Sequence, residues 1–523
     1  MRVTVDMKVL GGIASGENLT GSCYLTTIKR GKRTTRILTD VGLFQCGFKD
    51  FVENNLAIFK EVDVSSIDYI FLTHAHIDHV GRLPLFVRKG FRGRVICTKP
   101  TSNLLPVMLL DSAKIQMQNA RSQDKRNKRV SENQKKDKSN GHGKGGYRGG
   151  RSGCAGYRGE YKKQKKCVIK KTQPLFTVKD AEDCLASVKN EGFDYGRSIK
   201  LNTGIHLEFC ETGHVLGGAL GVISITRNNA PDFKLAFAGD LGRKDGIILP
   251  APQMPKSKIN YLMIESTYGD RIHPERQQEI NKLFSLVSEA IKQKHRIIIP
   301  SFALERAQEI IYLLSCAIHE GKISSIPIYL DAPMASKITA VYARHWSSPM
   351  FKGQDVLPFN PFVVDDNSFL KVITGELDSV NLSKLPGPYI VIAGSGMCNA
   401  GRVRNHLRCG LPRHDTTVCL VGYMAKDTLG RKLKEGSRTI NMNDGKIVVR
   451  AKIVSFDSLS AHADSCYLTE YTNAVTDNDS RILIVHGEKE SGLALKKSLL
   501  DSPGRNWRGK ISIPKLNEEI KIL

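Results

Sequence analysis

The stretch Phe71-Leu-Thr-His-Ala-His-Ile-Asp-His-Val-Gly-Arg-Leu-Pro84 continues an apolar, strand-like run that begins at Asp68. A span of six residues inside this stretch contains four potential metal ligands, which are His74, His76, Asp78 and His79. Residues two apart in an extended chain point to the same side, so His74 and His76 can face one point. Asp78 and His79 can turn toward a second point where the strand ends. Imidazole and carboxylate suit zinc or a similar divalent ion, and two adjacent ions form a hydrolytic site.

A polar turn after a buried strand is the alternative interpretation of this stretch. A lone histidine usually has that setting, but four ligand-type residues within six seldom arise in this way. The pattern therefore favours a metal site.

Further acids and histidines follow other strand-like runs of the chain. Asp40, His214, Asp240 and Glu265 each stand at or just beyond the end of such a run. Because the ends of neighbouring strands meet on one rim of a sheet, we expect these side chains to contribute to one site.

Length and composition indicate a globular protein with more than one domain. A chain of 523 residues predicts two or three domains, and 41% hydrophobic with 25% charged residues is ordinary for a soluble protein. No apolar run has membrane-spanning length, and the N-terminus lacks a signal-peptide profile. We therefore expect no membrane partner and a cytoplasmic location, or a nuclear one in a eukaryote. The 12 cysteines form no CxxC pairs, which argues against a disulfide or zinc-ribbon framework.

The net charge of +26 is the unusual feature of the composition. It indicates a polyanionic partner, most simply a nucleic acid. Much of it lies in residues 121–171, with 18 Lys and Arg against four Asp and Glu. We predict a basic, flexible insertion over residues 119–171. Its Tyr147, Tyr157 and Tyr161 could stack on RNA bases, although a solvated segment without a role explains the composition equally well.

From about residue 270, strand-like and helical runs alternate, which predicts a parallel α/β layer. Ser301 and the Ser395-Gly396 pair each lie between a strand and a helix, where backbone N–H groups favour phosphate. Helix capping would also place serine there. Candidate phosphate partners nearby, which could equally be surface charges, are Arg306, Arg402 and Arg404.

Ten motifs occur in a recognisable order. Beside the His74–His79 box they are Thr20-Gly-Ser-Cys-Tyr-Leu, Asp40-Val-Gly-Leu-Phe-Gln, Thr212-Gly-His, Ala238-Gly-Asp-Leu-Gly-Arg, Glu265-Ser-Thr-Tyr-Gly-Asp, Ile299-Pro-Ser-Phe-Ala-Leu-Glu-Arg, Asp331-Ala-Pro-Met, Gly394-Ser-Gly-Met-Cys and Ser460-Ala-His-Ala-Asp. Together they resemble the β-CASP nucleic-acid-processing branch of the metallo-β-lactamase superfamily. The resemblance is greatest to compact prokaryotic relatives of the endonuclease subunit of the cleavage and polyadenylation specificity factor.

The resemblance implies an α/β fold, namely a metallo-β-lactamase αββα sandwich with an inserted β-CASP parallel α/β domain. The sandwich would comprise residues 1–269 and 405–523, and the inserted domain residues 270–404. That insertion would cover the metal site, so that RNA threads between the two domains.

The resemblance also implies a role for each matching residue. The ligands of one zinc would be His74, His76 and His214, and those of the other Asp78, His79 and His462. Asp240 would bridge the two ions, and Asp40 would support the histidine box from behind. The catalytic residues would be Asp78, Glu265 and His406. Glu265 would orient His406, which would protonate the leaving oxygen. Histidines expected to be mostly structural or superficial are His273, His345, His414 and His486.

The implied activity is that of a ribonuclease with two zinc ions that cuts single-stranded RNA internally, leaving a 5′-phosphate and a 3′-hydroxyl. Exonucleolytic trimming from the 5′ end is a second option in the same cleft. A DNA nuclease on the same scaffold, a thioester or lactam hydrolase and a non-catalytic RNA-binding subunit remain alternatives. Further candidate partners are a second copy of the chain and RNA-processing proteins.

Overall fold

The computed structural model describes residues 2–14, 20–45, 48–140, 173–187, 190–352, 357–365, 368–422, 424–425, 427–442 and 445–523. Its strands are β1 (Val3–Gly11), β2 (Cys23–Arg30), β3 (Arg33–Thr39), β4 (Tyr69–Phe71), β5 (Arg94–Thr98), β6 (Asn190–Phe193), β7 (Ile199–Asn202), β8 (Ile205–Glu211), β9 (Ala219–Arg227), β10 (Ala230–Phe237), β11 (Ile259–Glu265), β12 (Arg296–Pro300), β13 (Ile328–Asp331), β14 (Leu370–Val372), β15 (Tyr389–Ala393), β16 (Thr416–Leu420), β17 (Thr439–Met442), β18 (Gly445–Val448), β19 (Lys452–Ser455), β20 (Thr476–Val485), β21 (Ile511–Ser512) and β22 (Glu519–Lys521).

The helices connect these strands. They are α1 (Phe48–Ala57), α2 (Ile77–Val80), α3 (Leu83–Arg88), α4 (Lys99–Asn140), α5 (Val178–Ser187), α6 (Arg276–Lys292), α7 (Arg306–His319), α8 (Pro333–His345), α9 (Glu376–Lys384), α10 (Val403–Gly410), α11 (Leu429–Lys434), α12 (Ser465–Val475) and α13 (Lys489–Leu500). Within the described part of the chain, none of them is both long and apolar enough to cross a membrane.

Two seven-stranded sheets pack face to face. Their strand orders are β22-β1-β2-β3-β4-β5-β6 and β21-β20-β11-β10-β9-β8-β7. The apolar cluster between them joins Val5 and Ile37 of the first sheet to Phe209 and Leu235 of the second. Side chains alternate along a strand, so each sheet can present one apolar face to this shared core.

Helices cover the outer faces of both sheets. Phe86 of α3 packs in one cluster with Leu38, the neighbour of Ile37 on β3. Leu468 of α12 packs in another with Ile264 of β11. The order of layers is therefore helix, sheet, sheet, helix, which confirms the predicted αββα sandwich.

A third sheet has the strand order β14-β13-β15-β12-β16-β19, and all its pairings are parallel. Ile297 and Ile299 of β12 pack in one cluster with Leu283 of α6, whereas Ile298 packs in another with Leu407 of α10. A strand buried on both faces has a continuous apolar run, as Arg296-Ile-Ile-Ile-Pro300 does. The predicted parallel α/β layer is confirmed.

This sheet extends beyond the predicted boundary at residue 404. β16 pairs with β12, and β19 pairs with β16, so both strands belong to the inserted layer. The chain rejoins the sandwich at β20, which pairs with β11. Because hydrogen bonds assign a strand to its sheet, the boundary at 404 falls inside the segment that builds the third sheet.

The inserted layer packs directly on loops of the sandwich. Leu304 and Ile310 share an apolar cluster with Ala75, between two histidines of the box, and with Val215. The third sheet therefore packs against the residues that surround the candidate metal site. Each Å² of apolar surface buried there stabilises this packing by about 25 cal/mol.

The prediction of a flexible segment is wrong for residues 119–140, which form the end of the 42-residue helix α4. This part of the sequence contains no glycine or proline and is rich in Lys and Arg, which favour helix. High charge therefore did not prevent helix formation. Residues 141–171 of the predicted insertion, with its three tyrosines, lie outside the described residues.

Candidate metal centre

The histidine box leaves β4 and turns into the single-turn helix α2. Backbone bonds hold this turn against the loop after β3: Val41 N–H donates to His79 O at 2.8 Å, and Leu43 N–H donates to Ile77 O at 2.9 Å. Gly42 lies between these two donors, and a Cβ there would come within 1.5 Å of the Asp78 carbonyl oxygen. Only glycine permits this close approach, which sets the direction of the Asp78 and His79 side chains.

The first group of ligand atoms consists of His74, His76, His214 and Asp240. His74 Nε2 lies 3.0 Å from His76 Nδ1, and His214 Nε2 lies 3.4 Å from the same atom. Both His74 Nε2 and His214 Nε2 are 3.5 Å from Asp240 Oδ2. The atoms converge on one point, as the ligands of one ion would.

The second group consists of Asp78, His79 and His486. His486 Nε2 lies 4.0 Å from Asp78 Oδ2, and His79 Nε2 lies 3.4 Å from Asp240 Oδ1. His486 directly follows β20, whose register places Val485 opposite Glu265. His486 thus takes the place that the sequence analysis gave to His462.

Asp240 lies between the two groups. Its Oδ2 faces His74 and His214, whereas its Oδ1 faces His79 and, at 3.6 Å, His486 Nε2. One carboxylate with its oxygens directed to separate ligand sets is the geometry of a bridging ligand.

The donor set fits divalent cations. The buried atoms His79 Nε2 and Asp240 Oδ1 have no hydrogen-bond partner among the described residues, although they point into the same space. Burial lowers the pKa of His74 to about 4 and that of His76 to about 3, so both rings are neutral, as metal ligands must be. Burial raises the pKa of Asp240, but His486, His79 and His74 outweigh it and hold the carboxyl ionised.

Asp40 lies behind the histidine box and contacts it directly. It is buried and accepts hydrogen bonds from His79 Nδ1 at 2.7 Å and from the backbone and hydroxyl of Thr73, both at 2.8 Å. A carboxylate on Nδ1 fixes the ring so that Nε2 faces the metal position, and it raises the basicity of the ligand.

Asp40→Asn is expected to lower metal affinity roughly 10- to 100-fold, because the amide cannot supply the charge that orients His79. Metal retained after dialysis measures this loss. Asp63→Asn is a matched control, since Asp63 only caps a short exposed turn through Ser65. Full metal retention by Asp40→Asn would contradict the assignment.

A carboxylate–histidine pair lies beside the first group. Glu265 is fully buried, and its two oxygens lie 3.1 and 3.2 Å from His462 Nδ1. Its Oε1 also accepts the Leu241 N–H at 2.7 Å. The His462 ring stands 4.4 Å from that of His214, centroid to centroid. Although burial lowers the pKa of His462, Glu265 raises it to about 9.

The predicted pair of Glu265 with His406 is not formed. His406 is buried on α10, where its Nε2 contacts Asp331 Oδ2 at 2.7 Å, and Arg402 contacts the other oxygen of Asp331 at 2.8 Å. Helix α10 packs its inner face on the third sheet, so the ring of His406 turns toward the end of β13. We therefore assign the orienting acid Glu265 to His462.

The predicted phosphate contacts divide into two kinds. Arg306 is buried against Glu309, and Arg402 is held by Asp331, which argues against phosphate binding by either guanidinium group. Ser301 is buried, with its hydroxyl bonded to the Phe302 carbonyl oxygen at 3.1 Å. Ser395 and Gly396 lie in the loop after β15, and Arg404, at the start of α10, donates a hydrogen bond to the Asn399 carbonyl oxygen of that loop at 3.1 Å.

Glu305 and Tyr342 were not identified from the sequence. Both contact the N–H of Leu216, two residues after His214: Glu305 Oε2 at 3.2 Å and the Tyr342 hydroxyl at 3.3 Å. Glu305 has a positive φ of 69°, which aims its buried side chain at this loop. The inserted layer thus positions the loop that carries His214.

Comparisons with known families agree with this architecture. Residues 33–134 match the model of the metallo-beta-lactamase superfamily, residues 307–433 that of the Beta-Casp domain, and residues 446–510 that of the Zn-dependent metallo-hydrolase RNA specificity domain. The fold and the paired ligand groups define a metallo-hydrolase. This combination of domains matches the β-CASP branch of the metallo-β-lactamase superfamily, which the motifs of the sequence resemble.

Several curated relatives match over nearly the whole chain. Ribonuclease TTHA0252 of Thermus thermophilus is 28% identical, covering 93% of this chain and 94% of the relative. Transcription termination factor FttA of Methanocaldococcus jannaschii is 26% identical over 93% of this chain and 68% of its own length. Cleavage and polyadenylation specificity factor 73 of Drosophila melanogaster is 27% identical over 94% of this chain and 62% of its own.

Proposed function

We propose that this protein is a metal-dependent ribonuclease that hydrolyses internal phosphodiester bonds of single-stranded RNA, with two zinc ions as its cofactor. The observation that supports this proposal most strongly is the position of the Asp240 carboxylate. It lies between two ligand groups, beside the Glu265–His462 pair. This arrangement combines a place for two cations with a proton donor.

The ligand groups would hold the two ions on either side of Asp240. When bound, such ions neutralise the phosphate charge and lower the pKa of water to about 7, which supplies a nucleophile at neutral pH. The buried histidine and aspartate side chains exclude competing water and keep the ligand atoms in place. Asp78 and Asp240 contribute the negative charge that retains two divalent cations.

His462 would protonate the leaving oxygen. Its Nδ1 is bonded to Glu265, so Nε2 is the atom that faces the substrate, and a pKa of about 9 keeps the ring protonated at neutral pH. Attack of water on phosphorus breaks the bond to the 3′-oxygen, which takes this proton. The products are a 3′-hydroxyl and a 5′-phosphate.

Three observations support RNA as the substrate. One relative is named a ribonuclease, and a matched family model is described as an RNA specificity domain. The net charge of +26 favours a polyanion. The third sheet packs over the loops that carry the ligands, which suits a chain that threads between two layers better than a small-molecule pocket.

Glu265→Gln is expected to shift the pH dependence of cleavage. A general acid works only while protonated, so activity falls as pH rises through the pKa of His462. Loss of the Glu265 charge lowers that pKa, and the alkaline limb of the single-turnover rate moves to lower pH. Glu470→Gln, which changes an exposed partner of Lys244, should leave the profile in place. An unmoved alkaline limb in Glu265→Gln would refute the role of the pair.

End-labelled single-stranded RNA and DNA of the same sequence test the proposed activity. We expect internal cuts in RNA, with 5′-phosphate ends that become substrates for phosphatase. Products of one nucleotide released successively from the 5′ end would instead establish an exonuclease. Equal or faster cleavage of the DNA would favour the DNA nuclease.

A further inference from the structure

Phe302 is an exposed aromatic residue at the carboxyl edge of the third sheet. It lies two residues beyond the end of β12, and 38% of its surface is exposed although Ser301 before it and Leu304 after it are buried. Its carbonyl oxygen accepts hydrogen bonds from Ser301 Oγ at 3.1 Å and from Ala307 N at 3.3 Å. The backbone that carries the ring is thus fixed on both sides.

Two glycines flank the ring of Phe302. A Cβ on Gly396, in the loop after β15, would lie 2.9 Å from the ring carbon Cδ2, and one on Gly422, after β16, would lie 3.3 Å from Cε2. β15 and β16 are the two neighbours of β12 in the sheet. The ring therefore fits between two loops that lack side chains at these points, and part of its surface remains exposed.

The strand order reverses around β12. Strands β13, β14 and β15 lie on one side of it, whereas β16 and β19 lie on the other. Ligands of open parallel sheets bind in the crevice at the carboxyl ends of the strands at such a reversal. Phe302 stands at this crevice, between the loops of Gly396 and Gly422.

Buried contacts connect the crevice to the metal centre. Leu304 packs in the same apolar cluster as Ala75 and Val215, which neighbour the ligands His74 and His214 in sequence. Glu305 bonds the Leu216 N–H at 3.2 Å. A molecule bound at Phe302 would therefore have a defined position relative to the metal-ligating residues, because a few buried contacts connect the two places.

We propose that Phe302 is a stacking platform for a nucleobase of the RNA strand whose phosphodiester lies at the metal centre. An exposed aromatic ring with a fixed backbone can stack on any base, because every base has a π-face. The platform would position the strand without selecting its sequence. This inference rests on the proposed function, since it takes RNA as the ligand.

Binding of single-stranded RNA that contains 2-aminopurine tests the platform, since the fluorescence of this base is quenched when it stacks. The full chain carries His76→Ala to prevent cleavage, and Phe302 is changed to Leu or Trp in that background. Leu keeps an apolar side chain without a π-face, whereas Trp restores one. We expect affinity on the order of 10-fold weaker with Leu, lost quenching at one nucleotide position, and recovery of both with Trp.

An RNA with an abasic nucleotide at the quenched position provides the matched control. It should bind equally to the chain that retains Phe302 and to the Phe302→Leu variant, since no base remains to stack. If intact RNA showed equal affinity and quenching with Phe302 and with Phe302→Leu while the wild type cleaved RNA, the platform would be overturned and the proposed ribonuclease activity would be unaffected. If quenching depended on Phe302 but the metal-loaded wild type left RNA uncut, the result would support the platform and refute the proposed ribonuclease activity.

Discussion

Asp240→Asn is expected to lower the rate of RNA cleavage on the order of 1,000-fold, which corresponds to the several kcal/mol that metal ions contribute to such reactions. The carboxylate faces His74 and His214 with one oxygen and His79 and His486 with the other. An amide presents one oxygen and no charge, so it cannot serve both groups. Single-turnover cleavage and metal content of the same preparation measure the two effects.

Asp232→Asn is the control for this substitution, because Asp232 lies exposed on β10, the strand that precedes Asp240. It should retain both the rate and the metal. If Asp240→Asn kept two ions per chain and full activity, the bridging assignment would be excluded.

His462→Gln is expected to slow cleavage roughly 100- to 10,000-fold while the metal content stays unchanged, because the loss of a general acid has that size. His486→Ala should lose metal as well as activity, since His486 lies with Asp78 and His79. Metal content therefore distinguishes the role of His462 from that of His486, although the sequence predicted His462 as the ligand.

His406→Gln is the matched comparison for His462→Gln. His406 is buried against Asp331, so its loss should lower the thermal stability, with little effect on the rate of the folded protein. A large loss of rate in folded His406→Gln, with normal cleavage by His462→Gln, would restore the original assignment of the acid–histidine pair.

The core of the site could be predicted from local sequence. His74, His76, Asp78 and His79 lie within six residues, and the period of a strand and the turn after it suffice to direct them to two points. Asp40, His214 and Asp240 each follow a strand-like run, and the structure brings them to the same rim.

The roles of the remaining histidines depend on pairings distant in sequence. His486 reaches the centre because β20 pairs in parallel with β11, with Val485 opposite Glu265. His462 reaches Glu265 because it forms an isolated bridge with Gly242. His486 directly follows the apolar run Arg481-Ile-Leu-Ile-Val485, so the rule of ligands at strand ends would have selected it.

The boundaries of the inserted layer also could not be predicted from local sequence patterns. Strand β16 (Thr416–Leu420) belongs to the third sheet because it pairs with β12, more than a hundred residues earlier. Charge density likewise misled the interpretation of residues 119–140, where helix propensity prevails.

Cleavage of labelled single-stranded RNA by the purified, metal-loaded wild type beside His76→Ala tests whether the protein is a metal-dependent ribonuclease. We predict internal cuts by the wild type that disappear on chelation, and a His76→Ala protein that is folded but inactive. Intact RNA after incubation with a wild type that holds two zinc ions per chain would contradict the ribonuclease.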